Sequence, residues 1–302
     1  MKPTTPSTWP LAGRRPATAW DPGRGSLDAS ARPLVMGIVN VTPDSFHAAS
    51  RRPEPEAAVA AALAMIAAGA DVLDLGAEST RPGADPVSPA VEQERLLPVL
   101  DALRSETTAV ITVDTRHAET ARLALEAGVD AINDVGGGRR TDLLAHVAAH
   151  DRGLILMHMQ GEPRTMQEDP RYADPVGEIG AWLDGRAAAA EAAGLARARL
   201  MVDPGIGFGK RLPHNLALLA RLREVAGGRP LLLGASRKGF IGQITGAPTE
   251  ARLPGSLAAL AAAFAAGATM VRVHDVAASV QFLEVLAAIA RAAAEDDSGA
   301  SG

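Results

Sequence analysis

Ala68-Gly69-Ala70-Asp71-Val72-Leu73-Asp74-Leu75 carries a complete change of structure within eight residues. Before it, Val59, Leu63 and Ile66 recur at spacings of four and three, the mark of one buried helix face. Gly69 then supplies the left-handed cap conformation that ends a helix, and the apolar run after it reads as a buried strand. The same punctuation returns at Ala127-Gly128-Val129-Asp130, ahead of Ala131-Ile132-Asn133, and at Ala266-Gly267-Ala268-Thr269, ahead of Met270-Val271-Arg272-Val273. Ala193-Gly194-Leu195 before Leu200-Met201-Val202 is a looser instance. A helix–Gly–strand unit used repeatedly means a chain built from repeated βα units.

Working outward from these anchors, eight strands are predicted near 34–40, 71–75, 109–113, 130–133, 153–157, 199–202, 230–234 and 269–273. Helices are predicted near 54–68, 88–105, 116–127, 141–150, 174–193, 213–226, 253–266 and 276–294. Strict alternation argues for an α/β fold, a (β/α)8 TIM barrel in a single domain, with a doubly wound open sheet as the alternative. The barrel is placed at 34–295, after an irregular, flexible extension at 1–33 and before a disordered tail at 296–302.

Composition agrees with a layered α/β architecture. Of 302 residues, 47% are hydrophobic and only 3% aromatic, so Ala, Val and Leu supply a core of closely packed helices. The net charge of −5 is interspersed, with no basic stripe or stacking-aromatic platform, which argues against a nucleic-acid partner. There is no Cys, which excludes disulfides, thiol nucleophiles and Cys-ligated zinc and is compatible with the cytoplasm. The uncharged stretch from Leu253 to Val271 is split by Gly267 and reads as a buried helix followed by a strand, not a membrane span.

A barrel of this kind puts its chemistry just past the carboxyl ends of the strands. The first strand, Leu34 to Val39, is apolar and breaks at Asn40 into Val41-Thr42-Pro43-Asp44-Ser45-Phe46. The other strand ends offer Glu78 to Arg81, Asp114, Asn133, His158, Asp203, Ser236-Arg237-Lys238, and Arg272 with His274. Asp114, Asn133 and Asp203 together can donate to and accept from one edge of a flat heterocycle, although Asp114 is equally suited to capping the helix that follows. Asp203 to Lys210 is glycine-rich without the spacing of a nucleotide-binding loop, and Phe208 among those glycines could lie on a ligand or tuck back on the rim. Arg272 and His274 share one side of the last strand, at the usual phosphate site of these barrels. Glu162 to Asp174 reads as a long polar loop able to act as a mobile lid, and the remaining histidines read as structural.

These motifs, taken in order from Gly37-Ile38-Val39-Asn40-Val41-Thr42-Pro43-Asp44-Ser45-Phe46 through Glu78-Ser79-Thr80-Arg81-Pro82-Gly83, Asp203-Pro204-Gly205-Ile206-Gly207-Phe208-Gly209-Lys210 and Ser236-Arg237-Lys238-Gly239-Phe240 to Arg272-Val273-His274-Asp275-Val276, resemble the dihydropteroate synthase family. The resemblance implies a transferase that joins 6-hydroxymethyl-7,8-dihydropterin diphosphate to p-aminobenzoate, releasing pyrophosphate in folate biosynthesis. It implies that Asp114, Asn133, Met157, Asp203 and Lys238 hold the pterin. Asn40, Arg272 and His274 would take the diphosphate, with Asn40 also a ligand of Mg²⁺. Thr80, Arg81, Pro82, Phe208, Ser236 and Lys238 would form the p-aminobenzoate pocket, and Asp203, Lys238, Arg272 and His274 would act in catalysis. Family members are typically cytoplasmic homodimers, and sulfonamides compete for their p-aminobenzoate pocket; for this chain, composition argues against nucleic-acid and membrane partners.

After Phe46 this sequence reads His47-Ala48-Ala49-Ser50-Arg51-Arg52-Pro53 where the family usually continues Ser-Asp-Gly-Gly, and position 77 is Ala where Gly is usual. The altered first loop leaves open a second reading, a paralogue that binds pterin without making dihydropteroate. A third, a pterin-dependent methyltransferase barrel, would have no need of Ser236-Arg237-Lys238 or of Thr80-Arg81.

Overall fold

A computed structural model describes residues 19–41, 54–78 and 86–299. Eight strands, each followed by helix, form one parallel sheet: β1 (Leu34–Asn40), β2 (Val72–Gly76), β3 (Val110–Asp114), β4 (Ala131–Asp134), β5 (Gly153–Met157), β6 (Leu200–Asp203), β7 (Leu232–Leu233) and β8 (Met270–Val273). Their spatial order is β6-β5-β4-β3-β2-β1-β8-β7. The ends meet where Val202 bridges Leu231 in parallel and the Val202 N–H donates to the Pro230 carbonyl at 2.9 Å, so the sheet closes into a barrel.

The helices are α1 (Glu54–Ala67), α2 (Pro89–Glu106), α3 (Ala118–Glu126), α4 (Thr141–Ala149), α5 (Pro175–Ala192), α6 (Leu212–Ala220), α7 (Leu222–Ala226), α8 (Gly239–Thr245), α9 (Leu253–Ala266) and α10 (Val276–Gly299). Strand side chains alternate between two destinations. Outward residues such as Val39, Leu73, Leu75, Ile111 and Val113 pack beneath α2, α3 and α4, while Val35, Val202, Leu233 and Val271 pack beneath α5 to α10. Inward residues Leu34, Met36, Val72, Ile155, Met201, Leu232 and Met270 fill the barrel toward the strands' amino ends.

Trp20 completes that inner layer. It is fully buried, and its indole N–H donates to the Arg199 carbonyl at 3.0 Å. Gly153 opens β5 against it; a Cβ there would stand 2.7 Å from the Trp20 ring and 3.0 Å from the Pro22 Cα. Of the flexible extension expected at 1–33, residues 1–18 lie outside the described residues, and 19–33 have little regular structure but form a plug under the barrel. Their Pro, Gly and Ser content fits a compact irregular turn; Asp21 caps it by accepting from the Gly23 N–H at 2.8 Å.

Other boundaries differ in instructive ways. The helix expected at 213–226 divides at Arg221, whose backbone (φ −127°, ψ 33°) leaves the helical region. The seventh strand shrinks to Leu232–Leu233, between Pro230 and Gly234. A short helix not expected from the sequence, α8, starts at a glycine and stops at Gly246 with φ 73°. The last helix runs on to Gly299, into the segment expected to be a tail. Residues 276–293 of it have the length and apolarity of a membrane span, but Val276, Leu283 and Ala287 are buried against the barrel.

Candidate active site

The alternation that places Met36 and Val72 inside the barrel also brings Asp74, Thr112, Asn133, Asp203 and Arg272 inward, closer to the strands' carboxyl ends. Polar groups in this layer satisfy one another. Arg272 on β8 reaches across the barrel, its Nε donating to Asp74 Oδ2 at 2.6 Å and its Nη2 to Asp114 Oδ2 at 2.9 Å. Asn133 Nδ2 donates to the same Asp74 oxygen at 2.9 Å, and the Thr112 hydroxyl donates to Asp74 Oδ1.

Above them opens a pocket lined by Asp114, Asn133, Val135, Met157, Asp203, Phe208, Gly234, Lys238 and Arg272. Seven of the residues singled out in the sequence thus meet in one place. Asp114 is not a helix cap: α3 begins four residues later, with His117 at the cap position, while the carboxyl turns to Arg272. Asp203 accepts from the Gly205 N–H at 2.7 Å and faces Lys238, which stands 4.3 Å over the Phe208 ring and donates to the Ile206 carbonyl. A cation over an aromatic face orients both.

Charge in so dry a site is costly. Burial pushes the Asp114 carboxyl up to about 7, against the pull of Arg272, and the Asp74 charge adds to the rise. Burial also raises Asp203, opposed by Lys238. It lowers Lys238 to about 8, opposed by Asp203. The carboxyls of Asp74, Asp114 and Asp203 outnumber the cations Arg272 and Lys238, so a proton near neutral pH has a place at Asp114.

The wall behind the pocket is built from two loops in close contact. Gly205 and Gly209 have φ of 65° and 61°, and a Cβ on either would run into the backbone carbonyl of His158 or Gln160. Buried Lys210 ties the loops together, with Nζ 3.0 Å from His158 Nδ1 and 2.9 Å from the Phe208 carbonyl. Burial pushes Lys210 well below its ordinary range and, with Lys210 and Arg139 adding to it, holds His158 at about 3, a neutral ring. The segment after β5, Glu162 to Asp174, read from the sequence as a polar loop able to act as a lid, packs on the site in this structure: Met166 lies with Val135, Met157, Met159 and Phe208, and the Tyr172 hydroxyl donates to the Gly209 carbonyl at 2.9 Å.

Other sequence candidates lie near the pocket but do not line it. Ser236 and His274, at adjacent strand ends, are in contact, the hydroxyl oxygen 3.0 Å from Nδ1. Arg237, next to Ser236 in the chain, takes a left-handed φ of 55° and pairs with Asp275 at 2.8 Å. Asn40 ends β1 half-buried, opposite Gly76. Thr80, Arg81 and Pro82, with the first-loop residues 42–53, lie outside the described residues. The residue that sequence reading missed is Asp74. Its signal was a carboxyl on the inward phase of Val72-Leu73-Asp74-Leu75, where burial without partners would be prohibitive.

Fold and pocket define a (β/α)8 barrel enzyme that can grip a flat polar ring by its edge at the carboxyl ends of the strands. The family model of the pterin binding enzymes matches residues 36–274. The chain is 44% identical to the dihydropteroate synthase of Escherichia coli (strain K12) over 264 residues, 87% of this chain and 93% of that one. The Xanthomonas albilineans dihydropteroate synthase solved with 4-aminobenzoic acid superposes with a TM-score of 0.83 at 44% identity, covering 91% of this chain and 98% of that one. The Burkholderia cenocepacia dihydropteroate synthase complexed with 7,8-dihydropteroate gives a TM-score of 0.83 at 43% identity, covering 93% and 99%. The chain belongs to the pterin-binding enzyme family, among the dihydropteroate synthases.

Proposed function

We propose that this protein condenses 6-hydroxymethyl-7,8-dihydropterin diphosphate with p-aminobenzoate to give 7,8-dihydropteroate and pyrophosphate. The observation that carries the reading is the convergence of Asp114, Asn133, Asp203 and Lys238 on one pocket walled by Met157 and Phe208. Relatives bearing the activity in their names match almost the whole chain, and two solved ones hold 4-aminobenzoic acid and 7,8-dihydropteroate.

In this reading the pterin edge lies against the Asp114, Asn133 and Asp203 side chains, and Met157 and Phe208 exclude water from its faces. The C–O bond at the pterin methylene breaks and its electron pair leaves on the diphosphate. The arylamine lone pair then forms the C–N bond, and its nitrogen releases a proton. An arylamine is neutral at pH 7, so no strong base is required; the work is electrostatic. Asp203 supports positive charge on the ring, while Arg272 and His274 favour the departing anion. Mg²⁺ carried on the diphosphate would supply further countercharge. Asn40, whose side chain stands half-buried at the end of β1, would help to hold such an ion beside the diphosphate. By the family resemblance, Phe208, Ser236 and Lys238 would border the p-aminobenzoate position together with Thr80, Arg81 and Pro82, which lie outside the described residues. A cytoplasmic homodimer belongs to the same reading, and exposed Val285 and Ile289, four residues apart on α10, offer an apolar face for it.

The test is pyrophosphate release by purified protein given pterin diphosphate, p-aminobenzoate and Mg²⁺. Release that requires both substrates is the expected outcome. Calorimetric binding of the pterin without release would overturn the synthase reading in favour of a binding paralogue, to which the His47-Ala48-Ala49 departure points.

A further inference from the structure

We propose that Asp74 is a positioning residue for the pterin pocket: from the interior of β2 it sets how Arg272 and Asn133 present themselves to the ligand. The inference rests on the pterin reading above.

Asp74 is wholly buried and is not among the residues lining the pocket. One oxygen, Oδ2, receives both Arg272 Nε at 2.6 Å and Asn133 Nδ2 at 2.9 Å, and the other receives the Thr112 hydroxyl. One carboxyl therefore joins β2, β3, β4 and β8. With Nε fixed on Asp74 and Nη2 on Asp114, the Arg272 guanidinium plane is locked, because a rigid fork held at two nitrogens cannot turn. The amide of Asn133 is oriented too. An ionised carboxyl only accepts hydrogen bonds, so the amide nitrogen must face Asp74 and the Asn133 oxygen is turned away from it. Groups held by such partners bind with little reorganisation.

Asp74→Asn keeps the shape and removes the charge. It frees the Asn133 amide to flip and leaves Arg272 to Asp114. The expected result is pterin diphosphate binding weakened about 10-fold or more in calorimetry, with the KM for p-aminobenzoate within about twofold of wild type. A second readout separates positioning from mere structural support. Asp114 is faced by Arg272 from β8, by Asp74 and Glu78 from β2 and the turn after it, by Glu92 from α2, and by Lys238 at the start of α8. Removing the Asp74 charge removes repulsion and strengthens the hold of Arg272. The pH dependence of pterin binding should therefore shift to the acid side by about half a unit or more. Thr112→Val, which strips one donor from Asp74, should weaken pterin binding in the same sense, less strongly, and it carries the test if the Asn variant does not fold. Pterin affinity and pH profile matching wild type in the folded variant overturn the proposal, as does equal weakening toward both substrates. Failure of wild type itself to bind the pterin overturns the functional reading instead, so the two failures are distinguishable.

Discussion

Asp114 shares a guanidinium with Asp74 in a place from which water is largely excluded, and its carboxyl is pushed up to about 7 by burial. A carboxyl raised in the folded state stabilises that state while protonated; the contribution is complete below the unfolded value near ~4 and is lost as pH rises through about 7. Ligand-free wild type should thus lose thermal stability relative to Asp114→Asn between about pH 5 and pH 8. Melting curves of the pair that stay parallel across that range would contradict it. At this scale the sequence was informative where polar groups stand at strand ends, which is how Asp114, Asn133, Asp203, Lys238 and Arg272 were found. It was silent about pairing. The family resemblance makes Arg272 a diphosphate contact; its two close partners in the barrel, Asp74 and Asp114, come from strands nearly 200 and 160 residues away, and no local pattern announces contacts at that separation.

At the scale of elements, the loops after β5 and β6 meet backbone to backbone, and glycine is what permits it. Gly209→Ala would face both a left-handed φ of 61° and a collision with the Gln160 carbonyl. We expect a loss of about 2 kcal/mol or more in denaturant unfolding, with weaker ligand affinity because Phe208 moves with its neighbour. An alanine variant with native stability would show that the two loops are not in this close register. The strand positions were largely legible because each is an apolar run bounded by punctuation, as at Gly69 and Gly128. The exceptions have local causes. Pro230 and Gly234 confine β7 to two residues, and α8 hides because it begins at Gly239 and ends at Gly246, residues that read as loop.

For the whole molecule, the two ends of the barrel have separate duties. The pocket occupies the carboxyl ends of the strands, and Trp20 seals the amino ends. Trp20→Ala empties a fully buried site and removes the hydrogen bond to Arg199. It should cost about 3–5 kcal/mol of stability while leaving the KM values of both substrates within about twofold of wild type. A change in KM that tracks the stability loss would refute that separation. The plug was the least legible part of the fold. Composition says only that residues 19–33 are rich in turn formers, whereas the burial of Trp20 depends on Gly153, more than 130 residues away, having no side chain.

That division of labour has an evolutionary consequence. Mutations that refine or damage the pocket draw on a reserve of stability held at the opposite end, where no substrate is touched. The plug can be strengthened without altering recognition, and a lineage that does so can tolerate costlier substitutions around Asp74, Asp114 and Asp203. Residues 19–33 are therefore a natural place to look for changes that accompany, and permit, new ligand preferences at the other end of the barrel.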